Sequence, residues 1–160
     1  LVFLGFPDGQ VQATLELRKA LSRVIRQVRP QRVLTQSPER NYLRIFASHP
    51  DHLAAGEAAL CAVYPDSRNP FTFTELLDDE GLDAWTVDEV WLMAGPQPNR
   101  VVDVTAQVER KIRPLRAHAS QHVDQDGVAE RVRGWMSATA DTFGLAPGSA
   151  AEAFQVIQTS

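Results

Sequence analysis

Leu1-Val2-Phe3-Leu4-Gly5-Phe6, stopped by Pro7-Asp8-Gly9 and followed from Val11 to Val28 by apolar residues at intervals of three and four, decides the fold class. The first run is apolar apart from Gly5 and closes on turn residues, so it predicts a strand buried on both faces of a parallel sheet. Val11, Leu15, Leu17, Leu21, Val24, Ile25 and Val28, with Arg and Gln between them, predict an amphipathic helix ending before Pro30. Arg32-Val33-Leu34-Thr35 then reads as a second strand. Strand, helix and strand in this order predict an α/β layered fold, mostly parallel, with helices on both faces of the sheet.

The pattern continues beyond this unit. His49-Pro50-Asp51-His52 opens a helix with Pro50 at its first position and a small apolar body from Leu53 to Ala62, closed by Tyr64-Pro65. Residues 66–83 read as a surface excursion with one helical turn near Phe73 to Leu77. Strands are expected over 87–93 and 100–104, helices over 106–120 (capped by Thr105) and 128–143 (stopped by Gly144). The tail, 150–157, is extended or shortly helical, without a periodicity that chooses. A chain opening on an apolar strand is expected to be the remainder of a longer, N-terminally truncated polypeptide, because a strand needs neighbours. Its open edge predicts that the 160-residue chain made alone self-associates or is poorly soluble, while the longer protein is well behaved; a homo-oligomer is the expected state of the protein.

At 160 residues one domain is expected. Hydrophobic residues make up 44% and charged residues 22%, which excludes disordered and collagen-like classes. No apolar run reaches the length of a membrane-spanning helix, so no membrane partner is expected. The formal net charge of −4 gives no global positive field for phosphate backbones, which argues against nucleic acid as a partner. The single cysteine, Cys61, excludes an internal disulfide framework and leads to a cytoplasmic expectation. Neither Gly-x-Gly-x-x-Gly nor Gly-x-x-x-x-Gly-Lys-Ser/Thr occurs, so dinucleotide and NTP chemistry lose support.

His49 and His52, three apart at a helix start, lie on one face and can share a site at the carboxyl edge of the sheet. Asp51 between them could orient an imidazole. His-Pro-Asp is equally plain turn chemistry, and spacing alone does not separate the two. His118 and His122 have metal-ligand spacing, yet their segment lacks the glutamate of His-Glu-x-x-His and reads better as a helix end. Cys61, among Ala59, Leu60, Ala62 and Val63, reads as a packed thiol, and Trp85, Trp91 and Trp135 as packing residues.

Five blocks, in order, carry a family likeness: Leu4-Gly5-Phe6-Pro7-Asp8-Gly9, Ser48-His49-Pro50-Asp51-His52-Leu53-Ala54-Ala55-Gly56, Val102-Asp103-Val104-Thr105, Lys111 with Ala117-His118-Ala119-Ser120-Gln121, and Ala151-Glu152-Ala153-Phe154. Together they resemble the LmbE-like (PIG-L) family of zinc-dependent N-acetylglucosaminyl deacetylases over essentially the whole chain. The resemblance implies a Rossmann-like domain and hydrolysis of the N-acetyl amide of an amino sugar or related glycoconjugate. It implies His52 as a zinc ligand, His49 as the group that steadies the oxyanion or protonates the leaving amine, and Asp51 as the residue adjusting the charge of His49. Asp8 matches a sugar-hydroxyl contact. The family's His-Pro-Asp-Asp motif, which brings two further ligands and the general base, occurs nowhere in these residues. The 160 residues are therefore expected to form the C-terminal two thirds of the family domain, with the other zinc ligands upstream of Leu1 and no activity in the chain alone. The alternative is a catalytically dead sugar-binding or interaction module.

Overall fold

The structure, a computed structural model, describes residues 1–121 and 124–160. Its elements run α1 (Leu15–Val28), β1 (Arg32–Gln36), α2 (Pro50–Cys61), α3 (Glu75–Asp78), β2 (Glu89–Met93), β3 (Arg100–Asp103), α4 (Val108–Ala117), α5 (Gln125–Thr142) and β4 (Ala151–Gln158). The chain forms two compact units, residues 1–98 with 154–160 and residues 99–153.

In the first unit β1 and β2 pair in parallel, Arg32 opposite Glu89 through Gln36 opposite Met93. β2 pairs antiparallel with β4, from Glu89 opposite Gln158 to Met93 opposite Phe154. The strand order is β1-β2-β4-β3. The sheet is thus mixed and mostly antiparallel, which corrects the mostly parallel expectation. The cause is the tail, whose sequence chose no element: its Ala, Phe, Val and Ile residues return as β4 and fill the position beside β2.

The opening apolar run is not a strand. Leu1–Phe6 is irregular, with Leu1, Val2 and Phe3 exposed, because Gly5 at φ +77° interrupts the extended backbone and no neighbouring strand pairs with the run in this sheet. α1 also begins later than its periodicity predicts. Thr14 is its N-cap, the hydroxyl oxygen accepting the Leu17 amide at 3.2 Å, so Val11 to Ala13 stay outside the helix.

The core of this unit gathers Ile25 from α1, Ala62 and Val63 after α2, and Val87, Val90 and Leu92 around β2. The excursion 66–83 carries the expected helical turn, α3, yet it is not merely superficial: Asp66, Ser67 and Leu76 are buried. Arg26, 2% exposed, holds it by donating to the carbonyls of Ser67 (3.2 Å), Asp66 (3.1 Å), Asn69 (2.9 Å) and Thr72 (3.0 Å). Arg18 binds the buried Asp66 carboxylate through two bonds of 2.9 Å. That pairing raises the Arg18 pKa, whereas burial lowers that of Arg26.

In the second unit Ile112, Ala129, Val132, Met136 and Ala150 form a separate core between α4 and α5. Thr105 does not cap a helix as expected. It sits in a 3-10 turn, donates to Asp103 at 2.6 Å and accepts the Ala150 amide at 2.9 Å, bracing the start of β4's approach. α4 begins at Val108, and α5 spans three more residues at its start than the sequence suggests, with Asp124 accepting the Gly127 amide as its cap.

Candidate functional site

The loop after β1 carries the chain into α2. Ser37 is buried, its amide donating to the Met93 carbonyl at 2.9 Å, which ties the loop to the end of β2. Ser48, also buried, accepts the Asn41 amide on its hydroxyl at 2.8 Å and sets up the helix start one residue later. Gly56 lets α2 approach the strand end closely: a Cβ there would lie 2.3 Å from the Gln36 carbonyl oxygen. The first turn of α2 is thereby placed by backbone contacts, and His49, Asp51 and His52 ride on it.

His49 is the N-cap of α2. Its Nδ1 accepts the Asp51 amide at 3.2 Å, and Pro50 occupies the first helical turn. With Nδ1 used as an acceptor, the proton of the neutral ring sits on Nε2. The exposed imidazole therefore offers an N–H donor. The His52 ring lies alongside, its centroid 5.4 Å from that of His49 and the planes inclined at 51°. The two rings are thus neighbours at the head of α2.

Asp51 follows in the first turn of α2. Its side chain is buried, and Oδ2 accepts the amide of Gly9 at 2.6 Å, 42 residues away in sequence. The link from Asp51 to the His49 ring runs through the Asp51 backbone amide. Asp8, the expected sugar contact, is exposed in the turn that this carboxylate grips. The turn is closed by the Gln10 amide on the Pro7 carbonyl at 3.3 Å, with Gly9 at φ +79°. Asp8, His49, Asp51 and His52 are therefore connected through one chain of contacts, and no local pattern signals the Gly9 link, which joins residues 42 apart.

A catalytic zinc ion takes three protein donors and keeps one position open. Among the described residues no group of three or more His, Cys, Asp or Glu side chains is arranged to hold a metal ion. His49 Nδ1 and Asp51 Oδ2 are already engaged, so the side chains present do not by themselves fit zinc. His118 is exposed and follows the last residue of α4, so its segment has left the helix there; His122 lies outside the described residues. Cys61 is half-buried beside a groove of about 400 Å³, and burial pushes its thiol pKa up. Trp85 donates to the Pro30 carbonyl and Trp91 to Glu89, whereas Trp135 is 54% exposed and is not a core residue.

Residues 1–63 match the PIG-L family, described as GlcNAc-PI de-N-acetylase, and that span holds all four candidate residues. The chain is 35% identical over 118 residues to a diacetylchitobiose deacetylase of Thermococcus kodakarensis, covering 74% of this chain and 42% of that protein. It is 30% identical over 141 residues to a 1D-myo-inositol 2-acetamido-2-deoxy-alpha-D-glucopyranoside deacetylase of Rhodococcus erythropolis, covering 72% of this chain and 46% of that protein. The chain spans less than half the length of these two relatives. Among solved structures, the N,N'-diacetylchitobiose deacetylase of Pyrococcus horikoshii superposes with a TM-score of 0.80 at 25% identity, over 97% of this chain and 56% of that one. The 4-carboxy-2-hydroxymuconate hydratase GalB of Pseudomonas putida, at 18% identity and a TM-score of 0.71, covers 99% of this chain and 65% of that one and shares the fold alone.

Proposed function

We propose that this chain, which matches the PIG-L family over residues 1–63, is part of a zinc-dependent deacetylase that hydrolyses the N-acetyl amide of an amino sugar or glycoconjugate. The observation that carries the reading is the pairing of His49 and His52 at the start of α2, tied through Asp51 to the turn that bears Asp8. Relatives named as deacetylases of diacetylchitobiose and of an acetamido-glucopyranoside support the reaction and the substrate class.

In this reading His52 would be one of the ligands of a zinc ion that these residues do not complete by themselves. Such an ion would supply an activated water and polarisation of the amide carbonyl. His49 donates its Nε2 hydrogen to the oxygen on which charge develops as the amide carbon becomes tetrahedral, and helix capping at Nδ1 holds the ring in the donating tautomer. Asp8 accepts a hydrogen bond from a sugar hydroxyl. The protein acts in the cytoplasm, as a homo-oligomer, on a small N-acetylated sugar.

Acetate release from N,N'-diacetylchitobiose and zinc content, measured together on the whole polypeptide, test this. His52→Ala should lose most of the metal. His49→Ala should keep the metal and lower kcat by about 10²-fold or more, as expected for a lost oxyanion donor. Full zinc in His52→Ala removes the ligand assignment. A polypeptide that binds the sugar, releases no acetate and holds no zinc is instead a sugar-binding module.

A further inference from the structure

We propose that α4 carries a phosphate-binding site, in which Arg110 and Arg113 hold the phosphate group. Glu109, Arg110, Ile112, Arg113 and Arg116 line a concavity of about 510 Å³, and Ile112, 1% exposed, anchors this stretch of helix in the core of the second unit. None of these residues takes part in the site at the head of α2, and the inference stands without the deacetylase reading.

The charges around this concavity are not equivalent. Glu109 is paired with Arg133 of α5, and Asp126 with Arg116 at 3.1 Å, so each of these carboxylates already has its counter-charge. Lys111 is paired with Glu152. Among the described residues Arg110 and Arg113 make no ion pair and no side-chain hydrogen bond, although both border the same concavity. Helix stability does not account for them. Arg110 stands in the first turn of α4, the end of a helix that favours negative charge. The three-residue spacing from Arg110 to Arg113, and from Arg113 to Arg116, sets like charges beside one another. An anion held by Arg110 and Arg113 relieves both penalties. Two planar guanidinium groups present paired N–H donors that match the oxygens of a phosphate, which carries close to two negative charges near neutral pH.

Free phosphate, a small phosphate ester and a lipid headgroup share this chemistry, and two arms of one experiment separate the sources. On the whole polypeptide, inorganic phosphate is titrated against chloride at constant ionic strength while the arginine Nε–Hε signals are followed by NMR. Arg110 and Arg113 should shift together and saturably, and Arg23, paired with Glu80, should not move. Arg110→Gln and Arg113→Gln should each weaken phosphate binding about tenfold or more, and Arg110→Lys should recover only part of it, because an ammonium keeps the charge without the fork. Both side chains are exposed, so these variants should melt as the parent does. Vesicles of phosphatidylcholine with and without phosphatidic acid form the second arm. Capture by the phosphatidic acid vesicles alone, reversed by free phosphate, upholds the site and places the group on a lipid headgroup; saturable phosphate binding without capture upholds it and places the group on a small molecule. Shifts that grow without saturating or that chloride reproduces, unchanged affinity in both Gln variants, or capture that phosphate does not reverse overturns the site.

Discussion

Gly56 of α2 lies against the carbonyl oxygen of Gln36 at the end of β1, so close that a methyl group in its place would stand 2.3 Å from that oxygen and 2.9 Å from the Pro38 nitrogen. Both neighbours are backbone and cannot rotate away. The contact sets how near α2 comes to the sheet, and the first turn of α2 carries the candidate site.

Gly56→Ala is expected to cost about 2 kcal/mol or more, because either the helix or the strand end must shift. Gly134→Ala is the control: it lies within α5, nothing stands within 4 Å of an added Cβ, and removing a helical glycine should stabilise by about 1 kcal/mol. Urea denaturation of the two variants should move in opposite directions.

Arg26→Ala should destabilise by about 3 kcal/mol or more, since it strands the buried carbonyls of Asp66 and Ser67 and the part-buried ones of Asn69 and Thr72. Arg26→Lys should not recover the loss, because one ammonium cannot reproduce the spread of a planar guanidinium. The midpoint of urea unfolding reports both. Stability equal to the parent in Arg26→Lys would show that charge, not geometry, holds the segment.

The Glu89 carboxylate is held below the ordinary glutamate range, first by the Trp91 indole N–H at 2.6 Å and then by Arg32 at 2.9 Å. A lowered folded-state pKa contributes stability that is present above the unfolded pKa and is lost as pH falls through the folded value. Stability should therefore drop below about pH 4.3, the unperturbed glutamate value, and Glu89→Gln should flatten that acid limb while changing the slope little near neutrality. Thermal melts from pH 7 to pH 3 measure it.

Much of the local structure was legible because it depends on neighbours in sequence. The 3.6-residue spacing of Leu17, Leu21 and Ile25 marks α1, Pro50 after His49 marks the start of α2, and the apolar residues of 87–93 and 100–104 mark two strands. His49 and His52 were readable as a pair, since a helix start fixes their separation.

Sequence alone thus determined the helices, three of the four strands, the family likeness and the residues at the head of α2. Only the tertiary structure decided that Leu1–Phe6 is no strand, that the 151–158 tail is one, and that it makes the sheet mixed. It alone directed the Asp51 carboxylate to Gly9 and the Arg26 guanidinium to carbonyls 40 to 46 residues away. The physical reason is common to all of these: a strand exists only with a hydrogen-bonded neighbour, and a buried charge only with its partners. Local periodicity carries no record of which distant backbone groups will be left needing an acceptor or a donor.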